Sequence, residues 1–517
     1  QGRLVEAFEK YLEFASIALP DELISVIDEP SVRSAADVWS QGRIAAMVAS
    51  ASPEQRKPLE EKIQGQWEEL KKKNLPLEDL KKFVAVCGSL FTVGKEARLQ
   101  LAIKLSGSKD ADAMLLVEQN LQPLLGDNGG LGARSAEILA KTYASNGLLE
   151  DALYYYRKLG SDYANVTVDN GRKGSDLLNA IALDKRFEAL LSGTAAQALP
   201  RRIKVSEERG NFHQQTQVYR FEKPETDLPY FQRHRFALRF DFHALKLMDG
   251  NTNEEAWSKN ITRTLFQNLL YGNGQPHLVR FQLQTQGHLV ILPLGHIIFA
   301  IDPVGKRVLW EKNLFNPAGN TPGQTNSSSP PGYNQLNIDP DGTLRVLYPD
   351  GWGQRIGNSN PLASGVATLQ TREGLIACDP VTGRTLWTRS DVNSRAVLFT
   401  DGNLLYVVDM SPENNPTATR ALRAYDGVTV KVPDFTADYN KRIRIMGGQI
   451  LAADTENNGG ITLRMHDVQT GKDTWKQSLP AGSLVVRTDE DPKLASALEP
   501  DGTLRAWKFP EGKMVLN

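Results

Sequence analysis

Ala377-Cys378-Asp379-Pro380-Val381-Thr382-Gly383 runs on to Trp387, and the same phrase recurs twice more in the chain. Ala300-Ile301-Asp302-Pro303-Val304-Gly305 leads to Trp310, and Asp467-Val468-Gln469-Thr470-Gly471 leads to Trp475. In all three copies the tryptophan stands eight residues after the aspartate. Recurrence at fixed internal spacing is the mark of a modular array. Apolar, β-branched runs precede the phrases, such as His288-Leu289-Val290-Ile291-Leu292 and Ile297-Ile298-Phe299-Ala300-Ile301, and read as strand, turn, strand. The Asp side chain can accept from backbone N–H groups two residues on and fix a tight turn. The Gly supplies a positive φ, and the Trp opens the next strand with a flat surface for a neighbouring unit.

Worn copies follow the same template. Asp249 to Trp257 keeps the spacing without the glycine, and Ala424-Tyr425-Asp426-Gly427 lacks the tryptophan. Asp341-Gly342-Thr343-Leu344-Arg345 is echoed by Asp501-Gly502-Thr503-Leu504-Arg505, which continues through Ala506 and Gly512 to Leu516. Trp257, Trp310, the Tyr348–Gly351 turn, Trp387, Val430, Trp475 and Leu516 mark seven units, with about 35–55 residues between most of them, near the length of a four-stranded propeller blade. A lone four-stranded sheet leaves a face uncovered, so such units are expected to stack radially.

The phrase Ala-x-Asp-x-x-x-Gly-x-x-x-Trp resembles the tryptophan-docking motif of the pyrroloquinoline-quinone-type (PQQ-like) β-propellers. The resemblance covers residues 234–517. It implies that Asp302, Gly305, Trp310, Asp379, Gly383, Trp387, Asp467, Gly471 and Trp475 pack blade against blade and touch no substrate. That superfamily includes quinoprotein alcohol dehydrogenases and non-enzymatic members of the bacterial outer-membrane assembly machinery. Its enzymes seat a quinone between a Trp floor and, typically, a disulfide of adjacent cysteines, beside a Ca²⁺ and an Asp base. This chain has only Cys87 and Cys378, and no Asp-rich calcium loop at a recognisable spacing. Asp339, Asp341, Asp350 and Asp379 all sit at turn positions.

Other chemistries find little support. None of the seven histidines (His213, His234, His243, His277, His288, His296, His466) forms a His-x-x-x-His pair, and no Gly-x-Ser-x-Gly elbow is present. His288 and His296 flank a predicted hairpin and read as core or rim histidines. No catalytic, cofactor-binding or metal-binding residue is therefore assigned, and no cofactor is expected. The formal net charge of −1 argues against a nucleic-acid scaffold. No apolar stretch reaches the length of a membrane span.

Residues 1–196 are different material, with helical periodicity. Helices are predicted at 2–17, 35–48, 54–72, 77–90 and 95–105. Ser52-Pro53-Glu54-Gln55 has the form of a capping box, and Leu80, Phe83, Val84 and Cys87 form one stripe. Leu139-Ala140-x-x-Tyr143, followed by Gly147, Ala152, Tyr156 and Leu159, resembles the tetratricopeptide repeat, in which Tyr156 would plug the groove between two helices. Glycine-rich Gly126–Gly132 lacks the Lys and Ser/Thr of a phosphate loop and reads as an inter-helix turn. Residues 197–233 form a connector with two strand-like stretches, Arg202–Val205 and Gln217–Phe221, that could supply an eighth blade or close the ring. Asn316–Gln335 reads as a long inter-blade loop.

The expected fold is thus multidomain, α plus all-β: a TPR-like helical-repeat region, then a seven- or eight-bladed β-propeller over 234–517. The expected function is non-catalytic binding of a protein or peptide, as a scaffold or adaptor. Trp352, Tyr143 and Tyr156 are the candidate partner-binding residues. The resemblance alone implies a bacterial envelope setting. The competing readings are a quinone- or sugar-acting enzyme with an axial site, and a structural segment of a giant multidomain chain. The chain begins at Gln1 inside an amphipathic pattern of Leu4, Phe8, Leu12 and Ala15, as a slice of a longer protein or a trimmed form would.

Overall fold

The computed structural model describes residues 4–17, 22–168, 171–192, 218–221, 224, 226–239, 244–261, 271–272, 275–276, 283–294, 297–314, 335–338, 344–347, 353–356, 362–363, 365–371, 373–413, 415–487 and 493–516. Trp352, the Arg202–Val205 stretch, Asp339, Asp341, Asp350, the Tyr348–Gly351 turn and most of the Asn316–Gln335 loop lie outside them.

The first part is helical: α1 (Leu4–Ile17), α2 (Ala36–Ser50), α3 (Pro53–Lys72), α4 (Leu77–Cys87), α5 (Phe91–Ser106), α6 (Ala113–Leu121), α7 (Gly130–Ser145), α8 (Leu149–Ser161), α9 (Gly174–Ile181), α10 (Glu188–Leu191) and α11 (Pro229–Arg233). Local chemistry sets several ends. Ser52 accepts from the Gln55 N–H at 3.4 Å while Gln55 accepts from the Ser52 N–H at 3.0 Å, with Pro53 opening α3. Gly147 takes φ +77° in the short turn that folds α8 back on α7. Leu139, Ala140, Tyr143, Ala152 and Leu159 are all fully buried between and around these two helices.

The rest is antiparallel sheet apart from one short helix, α12 (Thr436–Asn440). The strands are β1 (Leu23–Ser25), β2 (Val32–Ala35), β3 (Val218–Arg220), β4 (His234–Arg239), β5 (Ala244–Asp249), β6 (Glu255–Asn260), β7 (Tyr271–Gly272), β8 (Gln275–Pro276), β9 (Gln284–Gln286), β10 (Leu289–Leu294), β11 (Ile297–Asp302), β12 (Arg307–Asn313), β13 (Gln335–Ile338), β14 (Leu344–Leu347) and β15 (Gly353–Ile356). They continue with β16 (Leu362–Ala363), β17 (Val366–Thr371), β18 (Gly374–Cys378), β19 (Thr385–Arg389), β20 (Val397–Thr400), β21 (Leu404–Met410), β22 (Pro416–Arg423), β23 (Thr429–Val430), β24 (Arg442–Met446), β25 (Gln449–Thr455), β26 (Ile461–Asp467), β27 (Lys472–Leu479), β28 (Leu484–Arg487), β29 (Leu494–Leu498), β30 (Leu504–Lys508) and β31 (Lys513–Leu516). Four-strand meanders form from β3–β6, β9–β12, β16–β19, β20–β23, β24–β27 and β28–β31; β13–β15 is three-stranded. β3, from the expected connector, pairs with β4 in the first meander.

Two compact units result. One comprises Gln1–Ile24, Ala35–Ser359 and Asp379–Thr385; the other comprises Ser25–Ser34, Asn360–Cys378 and Leu386–Asn517.

The repeated phrase forms the third hairpin turn of each meander. Asp379 accepts from the N–H groups of Val381 and Thr382, at 3.0 and 2.7 Å. Asp467 accepts from the Thr470 N–H at 2.7 Å, and Asp302 from the Gly305 N–H at 2.8 Å. The left-handed residue stands four positions after the last residue of the third strand or, in the turn after β18, four positions after Asp379. It is Gly383 (φ +72°), Gly427 (+72°), Gly471 (+67°) and Gly512 (+62°) in four turns, Asn253 (+57°) in the first and Lys306 (+55°) in the second. Asn253 therefore fills the position that looked empty in the Asp249 copy. Gly305 is not the left-handed residue of its turn; it donates to Asp302 one step earlier.

Three of these four glycines lie against the tryptophan of another sheet. A Cβ on Gly383 would stand 2.8 Å from the Trp310 ring, on Gly427 2.7 Å from Trp387, and on Gly512 2.3 Å from Trp475. Where the meander β20–β23 lacks a tryptophan, Pro433 takes its place, 2.8 Å from a Cβ on Gly471. The indole N–H groups also bond: Trp310 donates to the Pro380 carbonyl at 2.9 Å and Trp387 to the Ala424 carbonyl at 3.0 Å. Trp310 thus meets the 379–385 turn directly. The sheet β13–β15, counted from sequence as a unit between them, does not separate the two at this contact.

Gly427→Ala adds a clash to a left-handed backbone and is expected to lower stability by about 1–3 kcal/mol. Trp387→Ala, which empties a fully buried site, is expected to cost about 3–5 kcal/mol. Gly402→Ala, at φ +96° with open space around it, carries the backbone strain alone and should cost less than Gly427→Ala. Denaturant unfolding midpoints of the three variants check the ranking.

Candidate functional site

Within the first unit, polar residues of the helices meet the turns of the sheets one after another. Asp37 of α2 binds Arg384 at 2.7 Å. Asp112, at the start of α6, binds Arg307 at 2.5 Å, and Gln119 donates to Asp379 at 3.0 Å. Arg307 and Asp379 belong to the repeated turns, so the residues that shape those turns also hold the helices.

The centre of this seam is His288. It follows Gly287 in the two-residue turn between β9 and β10, where Gly287 takes φ +58° as the first residue of such a hairpin often must. A Cβ on Gly287 would lie 2.1 Å from a carboxylate oxygen of Glu118, so glycine is needed here for space as well as for φ. Glu118 is on α6 and fully buried. Its Oε2 accepts from the His288 backbone N–H at 2.8 Å and its Oε1 from the ring Nδ1 at 2.6 Å. On the other side the ring Nε2 is 3.6 Å from Asp151 Oδ1, an ionic approach rather than a hydrogen bond. Asp151, on α8, accepts instead from the Tyr230 backbone N–H at 3.1 Å. Tyr143 and Tyr230 stand edge-on to the imidazole with centroids 5.0 and 5.2 Å away, and Phe231 closes the wall at 6.1 Å. Tyr230 also donates to the Pro303 carbonyl at 3.1 Å, which ties α11 to the turn after β11.

Burial alone would push the His288 pKa down. The Glu118 charge, its hydrogen bond to the ring and the nearby Asp151 carboxylate outweigh it and raise the pKa to about 9. The ring is therefore an imidazolium at neutral pH, held between two carboxylates. Burial first, and then the Glu118 charge, drives the Tyr143 phenol well above its ordinary range. His288 and Glu118 expose nothing to solvent, so the arrangement can bind elements together but cannot reach a substrate.

The other candidates fall as follows. Tyr143 is fully buried against His288 and presents no surface to a partner. Tyr156 is half-buried and packs edge-on against Phe187 at 6.0 Å. Asp379 is committed to its own turn and to Gln119, and Asp302 to Gly305 and Arg307. In the second unit, His466 lies between Asp473 at 3.1 Å and Asp438 at 3.4 Å, and Arg464 pairs with Asp438 and Asp473. Among the described residues no group of three or more His, Cys, Asp or Glu side chains is arranged to hold a metal ion. No described helix is long and apolar enough to cross a membrane.

Sequence reasoning missed Glu118, Asp151 and the ionic role of His288. One signal was present: Glu118 interrupts the apolar run Met114-Leu115-Leu116-Val117, and a carboxylate at a core position needs a buried cation or donor. The partner, 170 residues away, has no local signal.

Because the folded pKa of His288 exceeds its unfolded value near 6.5, its contribution is complete below that pH and is lost as pH rises through about 9. Unfolding midpoints of the wild type should therefore fall faster between pH 7 and 10 than those of His288→Gln, which should be the less stable protein at pH 7. Equal pH slopes would contradict this. Cys87 and Cys378 are both buried, and burial pushes the Cys87 thiol up to about 12. Neither should react with iodoacetamide at pH 8 in the native state, and both should react in denaturant.

No protein-family model matches the chain. No curated protein matches it either. Among solved structures it is similar to BamB from Moraxella catarrhalis (12% identity, 55% of this chain and 72% of that one, TM-score 0.24). It is also similar to the dihydro-heme d1 dehydrogenase NirN in complex with DHE (10%, 55% and 63%, 0.24). A third is Kuenenia stuttgartiensis hydrazine synthase (10%, 54% and 63%, 0.20). At these identities and TM-scores the likenesses assign no activity to this chain.

Proposed function

We propose that the chain is a non-catalytic, protein-binding scaffold: a helical-repeat region joined to a PQQ-like β-propeller whose meanders are the blades. In this reading the phrase residues Asp302, Gly305, Trp310, Asp379, Gly383, Trp387, Asp467, Gly471 and Trp475 dock blade on blade. Its setting in a larger bacterial envelope assembly rests on the resemblance of that phrase alone.

The observation that carries the reading is the sheet β28–β31. Val485, Ala495, Ala497 and Trp507 face the core shared with Leu451, Leu463 and Met465 of β24–β27. The register puts Leu484, Leu498 and Leu504 side by side on the opposite face, with Val486 and Leu516 in the next row. These five are 62%, 39%, 43%, 48% and 49% exposed. A sheet face of this composition is an interaction surface. Its flat aliphatic rows, backed by a sheet already packed against another, fit a β-sheet of a partner protein. Among the described residues, Asp302 and Asp379 are taken up in their own turns and His288 and Glu118 in a buried ion pair.

Native mass spectrometry of the protein isolated from its source, for the wild type and for Leu498→Glu/Leu504→Glu, tests this reading. A partner chain present with the wild type and lost from the folded double variant supports it. A small non-covalent mass released on denaturation, or a partner retained undiminished by the variant, overturns it.

A further inference from the structure

The outer strand of one meander is extended by a segment from far upstream. β2 pairs with β19 through Ser34 and Trp387, Arg33 and Thr388, and Val32 and Arg389. The Ser390 N–H donates to the Ser31 carbonyl at 3.0 Å. Val32 is fully buried, and Val26 and Ser34 nearly so. The paired residues, and the whole stretch Ser25–Ser34, belong to the same compact unit.

The segment is anchored by charge. Glu29 Oε2 accepts from Arg389 Nη1 at 3.0 Å and from the Thr429 hydroxyl at 2.9 Å, while its Oε1 accepts from the Thr429 N–H at 2.9 Å. Arg389 is only 3% exposed, and Asp391 holds its other two nitrogens at 2.8 Å. A buried guanidinium so oriented is a preformed receptor for a carboxylate.

The four-stranded unit does not require this addition. β6, β12, β27 and β31 each end their sheets, among the described residues, without an added strand. What distinguishes β19 is its anchor. Arg389 stands two residues after the docking tryptophan, where the other meanders carry Lys259, Lys312 and Gln477. Main-chain pairing along the edge, one apolar socket and one carboxylate receptor are the components of strand-addition recognition.

We propose that the β19 edge is a docking site for an extended segment of a partner protein carrying a glutamate three residues before a β-branched residue, and that residues 25–34 occupy it in cis as a displaceable guard. The inference rests on the protein-binding reading and adds to it the site and the kind of segment recognised. A tethered occupant competes at an effective concentration on the order of millimolar, so an intact guard masks the site from free peptide.

The test uses the full chain and a fluorescent peptide of residues 25–35. Glu29→Ala/Val32→Asp vacates the edge, and Glu29→Ala alone is the milder variant should the double variant not fold. Saturable binding is expected to the variant, at least tenfold weaker to the wild type, and at least tenfold weaker again for a peptide carrying Glu29→Ala. A folded variant, with unchanged circular dichroism and elution volume, that binds no better than the wild type overturns the proposal. So does equal binding of the two peptides. Either failure leaves the scaffold reading to be judged on its own co-isolation experiment.

Discussion

An indole lying against a residue that has no side chain is the contact on which the sheet region depends. Trp310 with Gly383, Trp387 with Gly427, and Trp475 with Gly512 leave less than 3 Å for a Cβ. The aspartate makes that approach possible by capping the turn from within, and the left-handed backbone brings the glycine face-on to the ring. The constraint is local and repeats, which is why a worn copy can persist. Pro433 offers another flat apolar surface where the tryptophan is missing, and Asn253, a residue that tolerates left-handed φ, replaces glycine in the first turn.

The helices use the same turns differently. Asp37, Asp112, Gln119 and Glu118 place acidic or amide groups against Arg384, Arg307, Asp379 and His288. Of these, the His288 cluster alone is fully withdrawn from water. An imidazolium between two carboxylates is stable there because Glu118 engages both the ring and the backbone N–H, and because the surrounding aromatic rings bring no further charge. A perturbed histidine is often taken as a mark of catalysis. Here its complete burial makes it a fastening.

Among the described residues, two surfaces bear on the proposed binding role. One is the apolar face of β28–β31, opposite the face that packs on β24–β27. The other is the β19 edge, already filled by an extended segment anchored on Arg389. Both are shaped by backbone geometry, and both are the surfaces on which the proposed binding of a protein partner would rest.

The meanders were legible in the linear chain because their information is short-range. An aspartate, a left-handed residue four positions on and a tryptophan eight positions on are fixed by turn geometry within one hairpin. The same is true of the α3 capping box and of the buried stripe Leu80, Phe83, Val84 and Cys87. The left-handed residue of the second turn was misread, Gly305 for Lys306, because composition favours glycine and only the backbone shows which residue turns. What folding alone decided is long-range. That Glu118 would meet His288, that Tyr143 would be a wall of that cluster rather than a surface, and that Val32 would lie beside Arg389 depend on contacts across 145 to 357 positions. Charge and hydrogen-bond complementarity at such separations leave no period or spacing in the chain, because each partner reads locally as an ordinary helix, turn or strand residue.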